Sequence, residues 1–372
     1  MNKKIIIILC CLVGLITIIV VGSVTPLFGL TETNDTIKIG TIFMLTGAGG
    51  FQGDQSLKGA QMAADEINAA GGINGKLLEL VPEDDGTDNP QKAIEALTSL
   101  QQRGIHIVIG PNWSTSARSL APVACTNKII LISPSAGVDE LEKECGYTFN
   151  LWPNDKINSK NLPKYLVDNN YNRIAIIGSK QIWETEQANA GKEGAIEFGG
   201  ILTEVIITNQ DQQDFSTEIA KIKDSKPDAL IITAFTQMSY IAKQAKELDL
   251  DVPFFVVLID QDKIDNAIGA FEGTIVISPF TPSKKFQETF YKKWGIEANQ
   301  SSDNSYDAVM LIAKAIKETG SEDSELIQEY LNSLITYQGE SGFLTFNEFG
   351  GVTKEPKFQI VKDNKLADYT TN

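Results

Sequence analysis

Histidine is nearly missing from this 372-residue chain, which has one, His106. A Ser-His-Asp hydrolase would have to use it, and the serine-bearing stretch GPNWSTS (110–116) lacks the Gly-x-Ser-x-Gly elbow. His106 falls in an apolar strand pattern and reads as a buried, hydrogen-bonded strand residue. Cysteine is scarce as well: of four, Cys10 and Cys11 lie within an N-terminal apolar stretch. The remaining pair, Cys125 and Cys145, with a single histidine does not make a closed zinc site. Basic clusters are absent, and 48 Asp and Glu against 32 Lys and Arg leave a net charge of -16. That balance excludes nucleic acid and anionic lipid as partners. A dinucleotide fingerprint starting at Gly47 would need glycine at position 52, where Gln52 stands. The acidic group Glu83, Asp84, Asp85 and Asp88 lacks the alternate-residue spacing of a calcium loop and reads as helix capping plus a solvated strand end. The inventory points away from an enzyme and implies neither metal nor cofactor.

What is present begins with Lys3 and Lys4 ahead of an uncharged apolar stretch from Ile5 to Gly22. This is the layout of an export signal, although its 18 residues exceed the roughly 7 to 15 of a usual signal core and approach the ~20 that span a bilayer. Residues 1–30 are therefore either a cleaved signal peptide or a retained membrane anchor, the only contact with the membrane. The lysines stay inside, so the rest of the chain is extracytoplasmic, periplasmic or at the cell surface. In that compartment Cys125 and Cys145 either form a disulfide or remain two buried thiols.

Beyond the N-terminus, strand and helix patterns alternate. Ile37 to Met44 is a β-rich run, and Gly47, Gly49, Gly50 and Gly53 break it. Leu57, Ala60, Ala64 and Ile67 recur at helical spacing until Gly71 and Gly72, and Lys76 to Val81 returns as a strand. Asp88 followed by Asn89 and Pro90 opens the next helix with a cap and a first-turn proline. Further strands are expected at 105–109, 129–133, 174–177, 201–207, 229–233, 254–258 and 274–278. Repeated β-then-α order implies an α/β fold of parallel sheets with helices on both faces, and two successive series imply two doubly wound lobes. Proline and turn residues near Pro153 to Lys156 and near Pro279 to Pro282 mark two crossings between them.

The segments IKIG, LTG, FQGDQ, KGA, INAAGGINGK and DD followed by DNP, then VIGPNWSTSA (108–117), ISPSA (132–136), DFSTEIAKIK (214–223), SYDAVMLIAKAI (305–316) and GFLTFNEFGG (342–351), resemble the branched-chain amino acid binding proteins that serve ABC importers. The resemblance implies a type I periplasmic binding protein clamshell with a three-segment hinge. Residues 36–153 with 282–352 would form one lobe, and 154–281 with 353–372 the other. It implies an extracytoplasmic substrate-binding protein that takes an amino acid or related small carboxylate or amide, and ABC permease subunits as partners. The alternative is a sensory receptor domain anchored by its N-terminal helix.

Carried over by position, the family's carboxylate-gripping serine is Ser114, at a helix start where Thr115 and exposed amides also suit an anion. Ser135 and Ala136 fall where the family makes backbone contact with its ligand, and Gly137 stands for a threonine. Trp183 and Phe235 replace an aromatic wall of tyrosines. Gln52, beside Phe51, stands for the tyrosine of the glycine loop. The acid that pairs with the ligand's ammonium aligns with Leu258, with Asp260 two residues on.

Overall fold

The computed structural model describes residues 36–138, 141 and 145–369, so the N-terminal apolar segment lies outside the described residues. Among those described, no helix is long and apolar enough to cross a membrane. The fold is α/β, with two main sheets and a small third one.

The first sheet is built from β1 (Ile37–Phe43), β2 (Leu78–Asp84), β3 (Ile107–Ile109), β4 (Ile130–Ser133) and β5 (Thr148–Asn150), all parallel and ordered β2-β1-β3-β4-β5. β3 and β4 are buried throughout, as a sheet covered on both faces requires. One face packs on α2 (Pro90–Gln102) and α3 (Ser114–Thr126) through Leu97, Leu100, Leu120 and Ala124. The other face packs on α1 (Gly50–Ala69) and, from far along the chain, α9 (Lys284–Trp294), α10 (Ser302–Thr319) and α11 (Ser324–Asn332).

The second sheet takes β6 (Arg173–Ser179), β7 (Ile201–Thr208), β8 (Ala229–Ile232), β9 (Phe254–Val256) and β10 (Ile275–Ser278) in the parallel order β7-β6-β8-β9-β10. Strand for strand, this repeats the order of the first sheet. Two late strands, β14 (Lys357–Lys362) and β15 (Lys365–Asp368), extend it antiparallel. Its helices are α4 (Asp155–Asp168), α5 (Ile182–Glu197), α6 (Ser216–Asp224), α7 (Met238–Glu247) and α8 (Gln261–Asn266). The small sheet of β11 (Thr336–Gly339), β12 (Gly342–Phe346) and β13 (Val352–Thr353) is antiparallel. The chain passes between the main sheets after β5, after β10 and after β13.

The glycine-rich turn after β1 is held by Asp84, which accepts hydrogen bonds from Leu45 N at 2.9 Å, Thr46 Oγ1 at 2.6 Å, Gly86 N at 2.9 Å and Lys92 Nζ at 2.5 Å. Burial works to raise the Asp84 pKa, but Lys92 and the other donors hold it far below the usual carboxylate range. Gly53 lets the first turn of α1 close over this loop, because a Cβ there would lie 1.9 Å from the Met44 carbonyl oxygen.

Two sequence expectations need correction. His106 is not a buried strand residue: it is exposed, one position before β3. The acidic strand end is not simply solvated either. Asp85 is fully buried, and burial pushes its pKa up to about 6 although the Ser116 hydroxyl beside it pulls the other way. The cap itself is Asn89, whose side chain accepts from Lys92 N. Cys125 and Cys145 are joined as a disulfide that ties α3 to the segment before β5.

Candidate functional site

Reversal of strand order on either side of β1 in the first sheet, and of β6 in the second, creates a crevice at the carboxyl ends of the strands, the usual ligand position in open α/β sheets. One cleft of about 400 Å³, counting its open mouth, is fed by both. Gln52 follows β1, Trp113 and Ser114 follow β3, and Ser135 and Gly137 follow β4. From the second sheet, Gln181, Trp183 and Glu184 follow β6, Phe235 follows β8 and Leu258 follows β9. Asp155 at the head of α4 and Gln300 just before α10 complete the lining.

The first-sheet wall is centred on the start of α3. Trp113 occupies the N-cap position in extended conformation, and no side chain caps the helix. The first-turn amides are thus left without an intrahelical or capping acceptor, and the helix end favours negative charge. Ser114 is 2% exposed, and among the described residues its hydroxyl has no hydrogen-bond partner. Trp113 reaches across to Gln52, donating from Nε1 to Oε1 at 2.7 Å. Ser135 donates to the Asn112 carbonyl oxygen at 3.1 Å.

The opposite wall is aromatic and acidic. Phe235 meets Trp113 and Trp183 edge-on, with ring centroids 6.3 Å and 6.2 Å away. Trp183 donates from Nε1 to Asp155 Oδ2 at 2.9 Å, and Trp152 donates to Oδ1 at 3.0 Å. Asp155 is fully buried, and burial lifts its carboxyl to about 7 despite both indoles. Gly137 makes this possible: a Cβ there would sit 2.0 Å from Asp155 Oδ2 and 2.5 Å from Trp183 Nε1. The threonine implied by resemblance has no room in this arrangement. Glu184, also buried, accepts from Ser179 Oγ, from Thr236 N at 3.0 Å and from Thr236 Oγ1 at 3.1 Å, which fixes the loop carrying Phe235. Burial raises its pKa as well.

Of the residues expected from sequence, Gln52, Ser114, Ser135, Gly137, Trp183 and Phe235 line this cleft, and Phe51, Thr115, Ala136 and Asp260 do not. Phe51 is half-buried in the first turn of α1, and Thr115 accepts from Gln181 Nε2 at 3.4 Å. Ala136 is buried behind the wall, its N–H on Ser133 Oγ and its oxygen receiving Asn150 Nδ2. Asp260 is 2% exposed ahead of α8, and burial lifts it to about 7 although Lys263 and the hydrogen-bonding Gln300 side chain pull the other way. Trp113, Asp155, Gln181, Glu184 and Gln300 were missed. For the first four the available signal was position after a strand end or at a helix head; for Gln300 there was none.

Comparison with known proteins follows the same geometry. The periplasmic binding protein family profile matches residues 36–356. The leucine-, isoleucine-, valine-, threonine- and alanine-binding protein of Pseudomonas aeruginosa is 28% identical over 90% of this chain and 92% of its own length. The Leu/Ile/Val-binding protein BraC3 of Rhizobium johnstonii is 30% identical over 88% of this chain and 91% of its own. Among solved structures, the branched-chain amino acid transporter substrate binding protein LivJ from Streptococcus pneumoniae, in complex with isoleucine, superposes with TM-score 0.83. It is 26% identical, covering 89% of this chain and 97% of its own. A solute binding protein of an ABC transporter from Rhodopseudomonas palustris, holding 3,4-dihydroxy benzoic acid, shares the fold at TM-score 0.80 and 21% identity over 90% of this chain and 96% of its own.

Proposed function

The chain belongs to the periplasmic binding protein family, and from that premise we propose that its cleft captures a small zwitterion, an amino acid or a close relative, for an ABC importer. It is an extracytoplasmic solute-binding protein, not an enzyme. The observation that carries the ligand class is the pairing of two groups in one cleft: the uncapped start of α3 with Ser114, and the buried carboxylate of Asp155. The helix end receives a carboxylate through backbone amides and the Ser114 hydroxyl. Asp155 supplies a charge-assisted acceptor for an ammonium, the role that Leu258 cannot fill. Trp183 and Phe235 shield the ligand from water.

Closure follows from the same parts. Asp88 of the first lobe accepts from Gln210 Nε2 of the second at 2.8 Å, so the lobes meet at the rim as well as through Trp113 and Phe235. Residues 36–153 with 282–352 move as one lobe and 154–281 with 353–372 as the other, by hinge closure. The N-terminal segment directs export, and permease subunits receive the closed form. The anchored sensory receptor has no support from the relatives, which are named for binding and transport.

A thermal-shift panel of residues 32–372 against amino acids, amides, benzoate and dihydroxybenzoate tests the reading. A ligand at ~100 times its dissociation constant adds about 2.7 kcal/mol. We expect shifts with zwitterions. Shifts with the benzoates alone would overturn it.

A further inference from the structure

We propose that Arg118 and Glu186, both outside the lining of the cleft, form a latch between the lobes that sets how long a solute is held, so that affinity for a ligand of no net charge depends on ionic strength. This rests on the lobe closure read above and not on which solute is taken.

The latch lies one helical turn beyond the ligand groups. α3 of the first lobe and α5 of the second meet across the cleft, and their first turns line it with Ser114 on one side and Trp183 and Glu184 on the other. Arg118 stands four residues after Ser114, and Glu186 three after Trp183. Those spacings keep each pair on one helix face. There Arg118 Nη2 donates to Glu186 Oε1, an ion pair from lobe to lobe. The acid is placed in advance by its own lobe, since Lys156 Nζ at the head of α4 lies 3.2 Å from Glu186 Oε2.

Nearby rim contacts are of another kind. Asp88 accepts from the neutral amides of Gln210 at 2.8 Å and Gln181 at 3.4 Å, and Thr115 meets Gln181. Of these contacts, the Arg118 pair is the one between opposite full charges. Its side chains are 32% and 20% exposed, so salt reaches it. Opening the hinge draws the arginine away from the glutamate and returns both to water. The pair therefore stabilises the closed form alone and acts chiefly on the rate of release. Repulsion between lobes in a chain of net charge -16 responds to salt in the opposite sense. That repulsion is long-ranged and largely screened by about 0.1 M salt, where the Debye length is ~10 Å, whereas a contact pair keeps weakening towards about 1 M.

The test titrates residues 32–372, the Glu186→Gln and Arg118→Gln variants and the double variant with L-leucine, in about 0.1 M and about 1 M NaCl. Benzoate serves if leucine does not bind; its own charge cancels when variant is compared with wild type. Release rates come from stopped-flow fluorescence of the cleft tryptophans. We expect wild-type Kd to weaken about threefold between the two salts, and each single variant to lose about threefold in the lower salt through faster release. The double variant should lose no more than either single one. In all three the salt weakening should vanish, with Tm of the ligand-free chain close to wild type. Losses that multiply in the double variant, or a salt response equal to wild type, would overturn the latch. So would a fall in Tm with release unchanged, which leaves the pair a structural brace. If benzoate binds and leucine does not, the zwitterion reading falls and the latch is judged on benzoate. If neither binds, the latch falls together with the closure it rests on.

Discussion

The first lobe offers the pocket a helix end and small groups, Ser114, Ser135 and Gly137, whereas the second offers ring walls and buried carboxylates, Trp183, Phe235, Asp155 and Glu184. The two walls are held by different means. On the first, position comes from the backbone: strand ends and the start of α3 put the groups where they are, and the disulfide braces that helix. On the second, position comes from side chains holding side chains, as Asp155 does for Trp183 and Glu184 does for the Phe235 loop. A wall made of backbone should survive loss of single side chains better than a wall made of side-chain pairs, and the following substitutions put that contrast under strain.

Removing the brace has the largest expected effect, and on stability rather than binding. The Cys125–Cys145 bridge closes a separation of 20 residues. Chain entropy sets its worth at about 3 kcal/mol. The double serine variant should lose about that much in denaturant unfolding while its ligand affinity stays the same. A matching loss of affinity would mean that the first wall also needs its side-chain frame.

Next comes Asp155→Asn, which keeps a carbonyl acceptor for an indole but removes the charge. Losing a charge-assisted bond to an ammonium should cost about 2 kcal/mol, roughly thirtyfold in Kd. The pH dependence gives an independent check. In the folded chain Asp155 titrates at about 7, against 3.8 for an unperturbed group. Between those values the folded chain keeps a proton that the unfolded chain releases. The contribution of this group to stability is therefore full below about pH 4 and lost as pH rises to about 7. Affinity runs the other way, since an ammonium needs the ionised form: Kd should weaken as pH falls below about 7. In Asp155→Asn both slopes should flatten, as read by calorimetry at pH 5.5 and 8.

Ser114→Ala should cost less, about 1 kcal/mol, because the helix amides remain when the hydroxyl goes. Measured Kd values for the pair of variants decide the comparison. If the serine change outweighs Asp155→Asn, side-chain chemistry dominates the first wall too.

How much of this was legible in the sequence follows the same division. The strand–turn–helix order of the first lobe, the break at the glycine loop, the Asn89 cap and the role of residue 114 as a helix start are local, and alternating apolar patterns reveal them. Trp183 and Phe235 were placed only by resemblance. Asp155 was hidden because its place in the cleft depends on Gly137 lacking a side chain and on Trp183 arriving from another helix, neither of which any sequence window contains. Gln300 comes from a segment that returns to the first sheet after the whole second lobe. His106 misled for the opposite reason: its apolar neighbours belong to β3, while it stands just outside the strand.

The smallest effect belongs to Thr115, next to Ser114 in sequence and equally suited to an anion on local grounds. Here the helix geometry separates the two. Successive helical residues point about 100° apart, so only one of them faces the cleft. Thr115 instead meets Gln181 Nε2 at 3.4 Å, a long contact at the rim between lobes. Thr115→Val keeps shape and removes that contact, and Kd should change by less than about twofold. A loss as large as that of Ser114→Ala would move the bound anion further along α3, and would make the first wall a row of hydroxyls rather than a helix end with one.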